Sequence, residues 1–236
     1  MKRISLLLVA TLISIGINAQ KAYALLTGVS NYGIQEANLQ NTTKDVKQLK
    51  KVFEKQGMIV TTLTSSNATI PNIEKKLNAI IQLAKPEDKI IFFFSGHGDT
   101  GMILAYGPES FYYSDLMKIL SKAKTKEIFC FIDACMSGSV TPTEYEWAEV
   151  HKGVTFMMSS RADEYSTENN WIGHGIYTQA LLKGLRGMAD YNGNRQITLQ
   201  ELYYYVSNDV TARSNKKQHP MLIGPSSSHE TVITKW

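Results

Sequence analysis

Two short stretches carry residue types suited to nucleophilic catalysis. Residues Glu127–Gly138 read EIFCFIDACMSG: an apolar run, Ile128–Ile132, stops abruptly at Asp133, Ala134 and Cys135 and is followed by a Ser-Gly turn. Residues Ile90–Phe94 form a second apolar run, which stops at Ser95-Gly96-His97-Gly98. Apolar runs of this length read as fully buried strands. In open α/β sheets the chemistry collects at the carboxyl ends of such strands. A cysteine thiolate is a strong nucleophile, and a neighbouring histidine raises the thiolate fraction and can protonate a leaving amine. Neighbouring parallel strands lie about 4.8 Å apart, so two such ends can face one another. Either residue alone is compatible with a packed histidine or a buried thiol. Their joint placement at strand ends beside glycines favours catalysis.

The other cysteine has a different reading. Cys130 and Cys135 flank one strand and its end, on opposite faces by the two-residue period. The extended chain between them spans about 16 Å, beyond the reach of a disulfide. Cys130 is therefore expected in the core and Cys135 as a free thiol. Zinc would need two further ligands, whereas His151, His174, His219 and His229 are scattered and there is no CxxC.

The surrounding pattern supplies the elements that must position these ends. Ala22–Val29 reads as a buried strand, Thr43–Gln56 as a helix stopped at Gly57, and Met58–Leu63 as a second strand. A helix follows over Ile70–Ala84, then the His-bearing strand over Lys89–Phe94. Met102–Ala105 and Phe111–Tyr113 suggest a small hairpin, and Ser114 a cap for a helix over Asp115–Lys122. After the Cys-bearing strand, Val140–Lys152 reads as an exposed loop, Gly153–Met158 as a strand and Ser159–Gly173 as a polar loop. Ile176–Leu185 and Leu199–Val210 read as helices and Met221–Ile223 as a last strand. Alternation of this kind predicts an α/β fold with a mostly parallel six-stranded sheet and helices on both faces.

The chain is long enough for one such domain, with no repeat or linker to divide it. Residues 1–19 read as a secretory signal: Lys2 and Arg3, an apolar Ile4–Ile17, and small Ala19 before a cut at Gln20. The apolar stretch is short for a membrane span and is interrupted by Ser5, Thr11 and Ser14. The expectation is an exported chain, periplasmic or extracellular, with residues 20–236 as the mature domain. Losing Lys2 and Arg3 lowers the formal +4 by two charges. So small a balance argues against nucleic acid or an anionic membrane as partner.

Ser95-Gly96-His97-Gly98 and Asp133-Ala134-Cys135-Met136-Ser137-Gly138 resemble the two catalytic motifs of the caspase-like cysteine peptidases, closest to the metacaspase and bacterial caspase-homologue branch. Leu39–Asp45 is similar to that family's first loop-to-helix segment. Gly173-His174-Gly175-Ile176-Tyr177-Thr178 with Ala180-Leu181-Leu182 is similar to a late helix start. The resemblance implies a three-layer caspase-like sandwich and a cysteine endopeptidase. In it Cys135 would be nucleophile and His97 acid/base, with the backbone N–H groups of Gly98 and Cys135 holding the oxyanion. True caspases carry Gln where this chain has Asp133. In the metacaspase branch Asp133 and Asp45 line the pocket for Arg or Lys before the cut. Ser95 also matches a pocket residue there, and Thr42 takes the place of a frequent cysteine.

Two carboxylates suit a cationic side chain and repel an acidic one, so the expected substrate is a peptide or protein cut after Arg or Lys. An N-cap role for Asp45 and a turn role for Asp133 are the competing readings. No cofactor or metal is expected. The alternative function is a catalytically silent module that binds peptides or partners. Lys152 and Arg161 are candidate self-cleavage sites. Asp190–Glu201 nearly fits a calcium-loop template but has Arg195 where a glycine is usual. An Asn-Gly turn followed by a Thr198–Glu201 capping box accounts for the same pattern.

Overall fold

Six strands build the central sheet of the computed structural model, which describes residues 20–33, 35–135, 153–161, 164, 168–169 and 174–236. They are β1 (Ala22–Gly28), β2 (Ile59–Thr64), β3 (Lys89–Ser95), β4 (Glu127–Asp133), β5 (Val154–Met158) and β6 (Met221–Ile223). Their order across the sheet is β6-β5-β4-β3-β1-β2. All neighbours are parallel except β6, which runs antiparallel to β5. This is the mostly parallel six-stranded sheet that the alternating pattern predicts.

Period-two alternation sends successive side chains of each strand to opposite faces, and here both faces are apolar. One face carries Leu25, Phe92, Phe94, Cys130 and Ile132 and packs under α2 (Ile70–Leu83) and α3 (Tyr113–Leu120). The other carries Leu26, Phe93, Phe129 and Phe131 and packs under α1 (Thr42–Lys55), α4 (Ile176–Lys183) and α5 (Leu199–Arg213). Phe92, Phe93 and Phe94 are all fully buried. Each contributes about 1.5–3 kcal/mol by leaving water. The result is three layers, with the carboxyl ends of β1, β3, β4 and β5 along one edge.

Helix α3 starts at Tyr113, earlier than expected, and Ser114 does not cap it. The reason is tertiary. Phe111–Tyr112 pairs with Met102–Ile103, which also pairs with Gly98–Asp99, giving a three-stranded ribbon rather than a hairpin. The Tyr113 N–H donates to Gly101 O at 2.9 Å, and this contact sets the first turn. Helix α4 gives way after Lys183 to a wider turn, Gly184–Met188, closed by Gly187 at φ 116°. One antiparallel pair, Gln196–Thr198 with Val232–Lys235, has no counterpart in the sequence reading. Its partners lie far apart in the chain, so no local period announces it. The expected loop over Val140–Lys152 and the leader over 1–19 lie outside the described residues.

Helix α1 lies close on β1 because position 28 is glycine. A Cβ there would stand 2.8 Å from both Thr42 O and Val46 Cγ2. The first turn of α1, with Thr42 and Asp45, is thereby held against the site edge of the sheet. Replacing Gly28 by Ala forces this contact apart at a cost of about 1–3 kcal/mol. Urea unfolding should show a lower midpoint with an unchanged slope, and a midpoint equal to the wild type would contradict the packing described.

Candidate active site

Strands β3 and β4 pair in register from Lys89 opposite Glu127 to Ser95 opposite Asp133. The pairing continues past the last residues, since Gly96 N–H donates to Asp133 O at 3.1 Å. His97 and Cys135 each stand two residues beyond this closing pair. The two chains stay close there: a Cβ on Gly98 would lie 2.8 Å from Cys135 O and 2.9 Å from Ala134 Cβ. Glycine at 98 is thus demanded by the Cys135 backbone itself, a tighter constraint than the approach of a substrate carbonyl. Ala134 is pinned from the other side, its N–H donating to Ser159 Oγ (3.2 Å) and its carbonyl accepting from that hydroxyl (3.0 Å).

The two cysteines differ as expected. Neither is in a disulfide; Cys130 is fully buried and Cys135 half-buried. Burial pushes the Cys130 thiol far up, so it stays protonated and inert.

His97 is held by groups that the sequence does not reveal. Its Nε2 lies 2.7 Å from Ala37 O. A carbonyl only accepts, so Nε2 carries the proton and Nδ1 is left with the lone pair. The His97 N–H donates to Tyr32 Oη at 2.7 Å, and the Tyr32 hydroxyl donates to Leu104 O at 3.1 Å. The two rings pack with centroids 4.7 Å apart. Burial raises the Tyr32 phenol well above its ordinary range; the His97 N–H partly offsets this, and charge on Cys135 adds to it. Tyr32 is therefore a neutral brace within electrostatic reach of both His97 and Cys135.

Ser95 bonds Asp45 and stands opposite Asp133 across the sheet. Asp45, Ser95 and Asp133 are all buried, with Asp45 on the first turn of α1 and the other two on adjacent strand ends facing the α1–α4 layer. Ser95 Oγ donates to Asp45 Oδ2 at 3.2 Å. Asp133 Oδ2 accepts from Thr178 Oγ1 at 2.7 Å and from Thr178 N at 3.3 Å. Asp45 is not an N-cap; that position is Asn41, without a side-chain cap bond. Thr42 Oγ1 is buried with no hydrogen-bond partner among the described residues. Asp45 and Asp133 are thus two buried carboxylates, each accepting from a hydroxyl donor.

Other sequence candidates fall elsewhere. In the Asp190–Glu201 stretch Asp190 accepts the N–H groups of Gly193, Asn194 and Arg195, and Thr198 and Glu201 form the reciprocal capping box. The turn-and-cap reading accounts for these contacts. Among the described residues no group of three His, Cys, Asp or Glu converges to hold a metal. Arg161 is exposed just after β5, its N–H donating to Glu164 Oε2 at 3.2 Å, while Lys152 lies outside the described residues. A cavity of about 670 Å³ lies at the amino-terminal edge of the sheet, opposite the ends that lead to His97 and Cys135, and is lined by Gln20, Lys89, Glu127 and Lys235. Tyr32, Ala37, Gly175 and Thr178 had no role in the sequence reading. Ala37 acts through its backbone and leaves no sequence signal. Thr178 lies inside a recognised motif, where its place on the third residue of a helix was the available clue.

Comparison with known proteins agrees with this fold. No curated protein matches the chain. The crystal structure of protein GSU0716 from Geobacter sulfurreducens is similar in fold, with a TM-score of 0.69 at 16% identity, covering 89% of this chain and 97% of that one. The model of the caspase domain matches residues 21–230. The sheet and the layers around it are those of a caspase-like sandwich, and the chain belongs to the caspase-domain family.

Proposed function

We propose that this chain is an exported cysteine endopeptidase that cuts peptide bonds after Arg or Lys through Cys135 and His97. The observation that carries the specificity is the buried pair Asp45 and Asp133, each bonded to a hydroxyl, one on the first turn of α1 and the other at the strand end that leads into Cys135. A guanidinium or ammonium entering there gains charge-assisted hydrogen bonds, whereas an Asp side chain meets two like charges.

The chemistry follows from the tautomer. Nδ1 of His97 takes the Cys135 proton while Nε2–H stays on Ala37 O. The thiolate attacks the carbonyl carbon, and the N–H groups of Gly98 and Cys135 hold the oxygen as it becomes negative. The imidazolium then gives its proton to the leaving amine, and water hydrolyses the thioester by the same route reversed. Export is supported at the amino end. Lys21 N–H donates to Asp88 Oδ1 at 2.8 Å and β1 begins at Ala22, so a leader ending at residue 19 can be removed without touching the sheet.

Three measurements test this reading. Fluorogenic peptides ending in Arg, Lys or Asp, given to the mature chain and to Cys135→Ala, should show turnover of Arg and Lys only, lost by at least about a thousandfold in the variant. Equal signals from both proteins would sink the nucleophile; turnover of the Asp peptide alone would sink the pocket. Tyr32→Phe removes the acceptor for His97 N–H and leaves Leu104 O without its donor. It should lower kcat by about tenfold, roughly the worth of one buried hydrogen bond, while KM changes little. An unchanged kcat would remove Tyr32 from the site. Finally, the intact mass of protein recovered from an exporting host should place its first residue at Gln20; a retained leader would contradict processing there.

A further inference from the structure

We propose that Thr178 is a specificity-positioning residue, which orients the Asp133 carboxylate for the basic side chain of the substrate. The inference rests on the Arg/Lys reading above and adds to it a residue from a different element, α4.

Helix α4 begins at Gly175, which has no side chain to cap the helix. Asp133 of β4 supplies the missing acceptor from outside, taking the Thr178 N–H at 3.3 Å. The fit is close: a Cβ on Gly175 would stand 2.7 Å from Asp133 Oδ2, so any other residue there would displace the carboxylate. Capping the helix requires only the N–H. The Thr178 hydroxyl makes the shorter bond, 2.7 Å, to the same oxygen. A helical threonine hydroxyl commonly bonds a carbonyl of the preceding turn; here it is turned onto the carboxylate. With Oδ2 pinned by two donors from one rigid residue, rotation about the last side-chain bond is fixed and Oδ1 has one direction.

The helix that carries Thr178 is itself anchored to the sheet. Tyr177 is fully buried and donates from its hydroxyl to Met157 O on β5 at 2.7 Å. Thr178 is fully buried as well. Asp45 has an equivalent arrangement across the pocket, with Ser95 as its hydroxyl donor. Preorganised donors of this kind let a carboxylate meet a cation without first reorganising. Both bonds from Thr178 go to Asp133, so its effect is expected on binding of the basic side chain.

The test uses the mature chain with Thr178→Val, which keeps the shape and the N–H but removes the hydroxyl, and Thr178→Ser, which restores it. Thr178→Ala serves in the same comparison should valine prevent folding, judged by thermal unfolding. Two readouts are taken: kcat and KM on Arg-, Lys- and Asp-terminated peptides, and the rate at which iodoacetamide alkylates Cys135, followed by peptide mass. Alkylation by a small neutral reagent needs no acidic pocket. The expected result for valine is a KM for Arg and Lys peptides raised about tenfold, as for loss of one charge-assisted hydrogen bond. Its kcat should stay within about threefold and its alkylation rate within about twofold of wild type. Serine should bring KM back to within about threefold of wild type. A wild type selective for Arg and Lys, with a valine variant of unchanged KM, overturns the role of Thr178 alone. Joint loss of kcat, KM and alkylation that serine does not restore also overturns it, as general damage. A wild type with no preference for Arg or Lys overturns the pocket reading and this inference together.

Discussion

The pairing of β3 with β4 is the constraint on which the site depends. Two buried parallel strands in register must end at the same height, and here they end at Ser95 and Asp133. Every later placement inherits that alignment. A slip of one residue would turn Asp133 toward the α2–α3 layer and Cys130 toward the opposite core, reversing what each residue faces. The aromatic run Phe92–Phe93–Phe94 secures the register by filling both cores from one strand. No polar contact at the site has comparable leverage, because each acts on side chains whose backbone positions the sheet has already set.

On that edge the work divides between elements. The loop after β1 brings Tyr32 and the Ala37 carbonyl to His97, one bracing its backbone and ring and the other choosing its tautomer. The first turn of α1 brings Asp45, and the start of α4 brings the donors for Asp133. Glycines appear where backbones or carboxylates come closest. Gly28 admits α1, Gly98 admits the Cys135 carbonyl, and Gly175 admits Asp133. These three positions allow elements distant in sequence to converge within hydrogen-bond range, and none of them requires a left-handed backbone conformation.

Burial separates the chemistry of like residues. Cys130 and Cys135 are five positions apart, yet one is sealed in an apolar core that keeps its thiol protonated and the other stands at the strand's open end. The tyrosines show the same logic. Tyr32 and Tyr177 are both held neutral by burial and serve as fixed hydrogen-bond partners, Tyr177 near the charge of Asp133 and Tyr32 near that of Cys135.

The sequence alone determined the succession of elements along the chain: apolar runs long enough to be buried, alternating with helical periods, two of the runs leading to a reactive residue near glycine. That pattern is local, so it specified the sheet, the helices on both faces, the core role of Cys130 and the candidate pair His97 and Cys135. The motifs also placed Asp45, Ser95 and Asp133 in one list. Tertiary structure decided what meets them. Ala37 contributes only a carbonyl, Tyr32 sits 65 residues before the backbone it braces and Thr178 lies 45 residues after the carboxylate it holds. The start of α3 at Tyr113 and the pairing of Gln196–Thr198 with Val232–Lys235 were decided in the same way. Contacts between distant segments have no period along the chain; they exist only once the cores on both faces of the sheet have fixed where each segment lies.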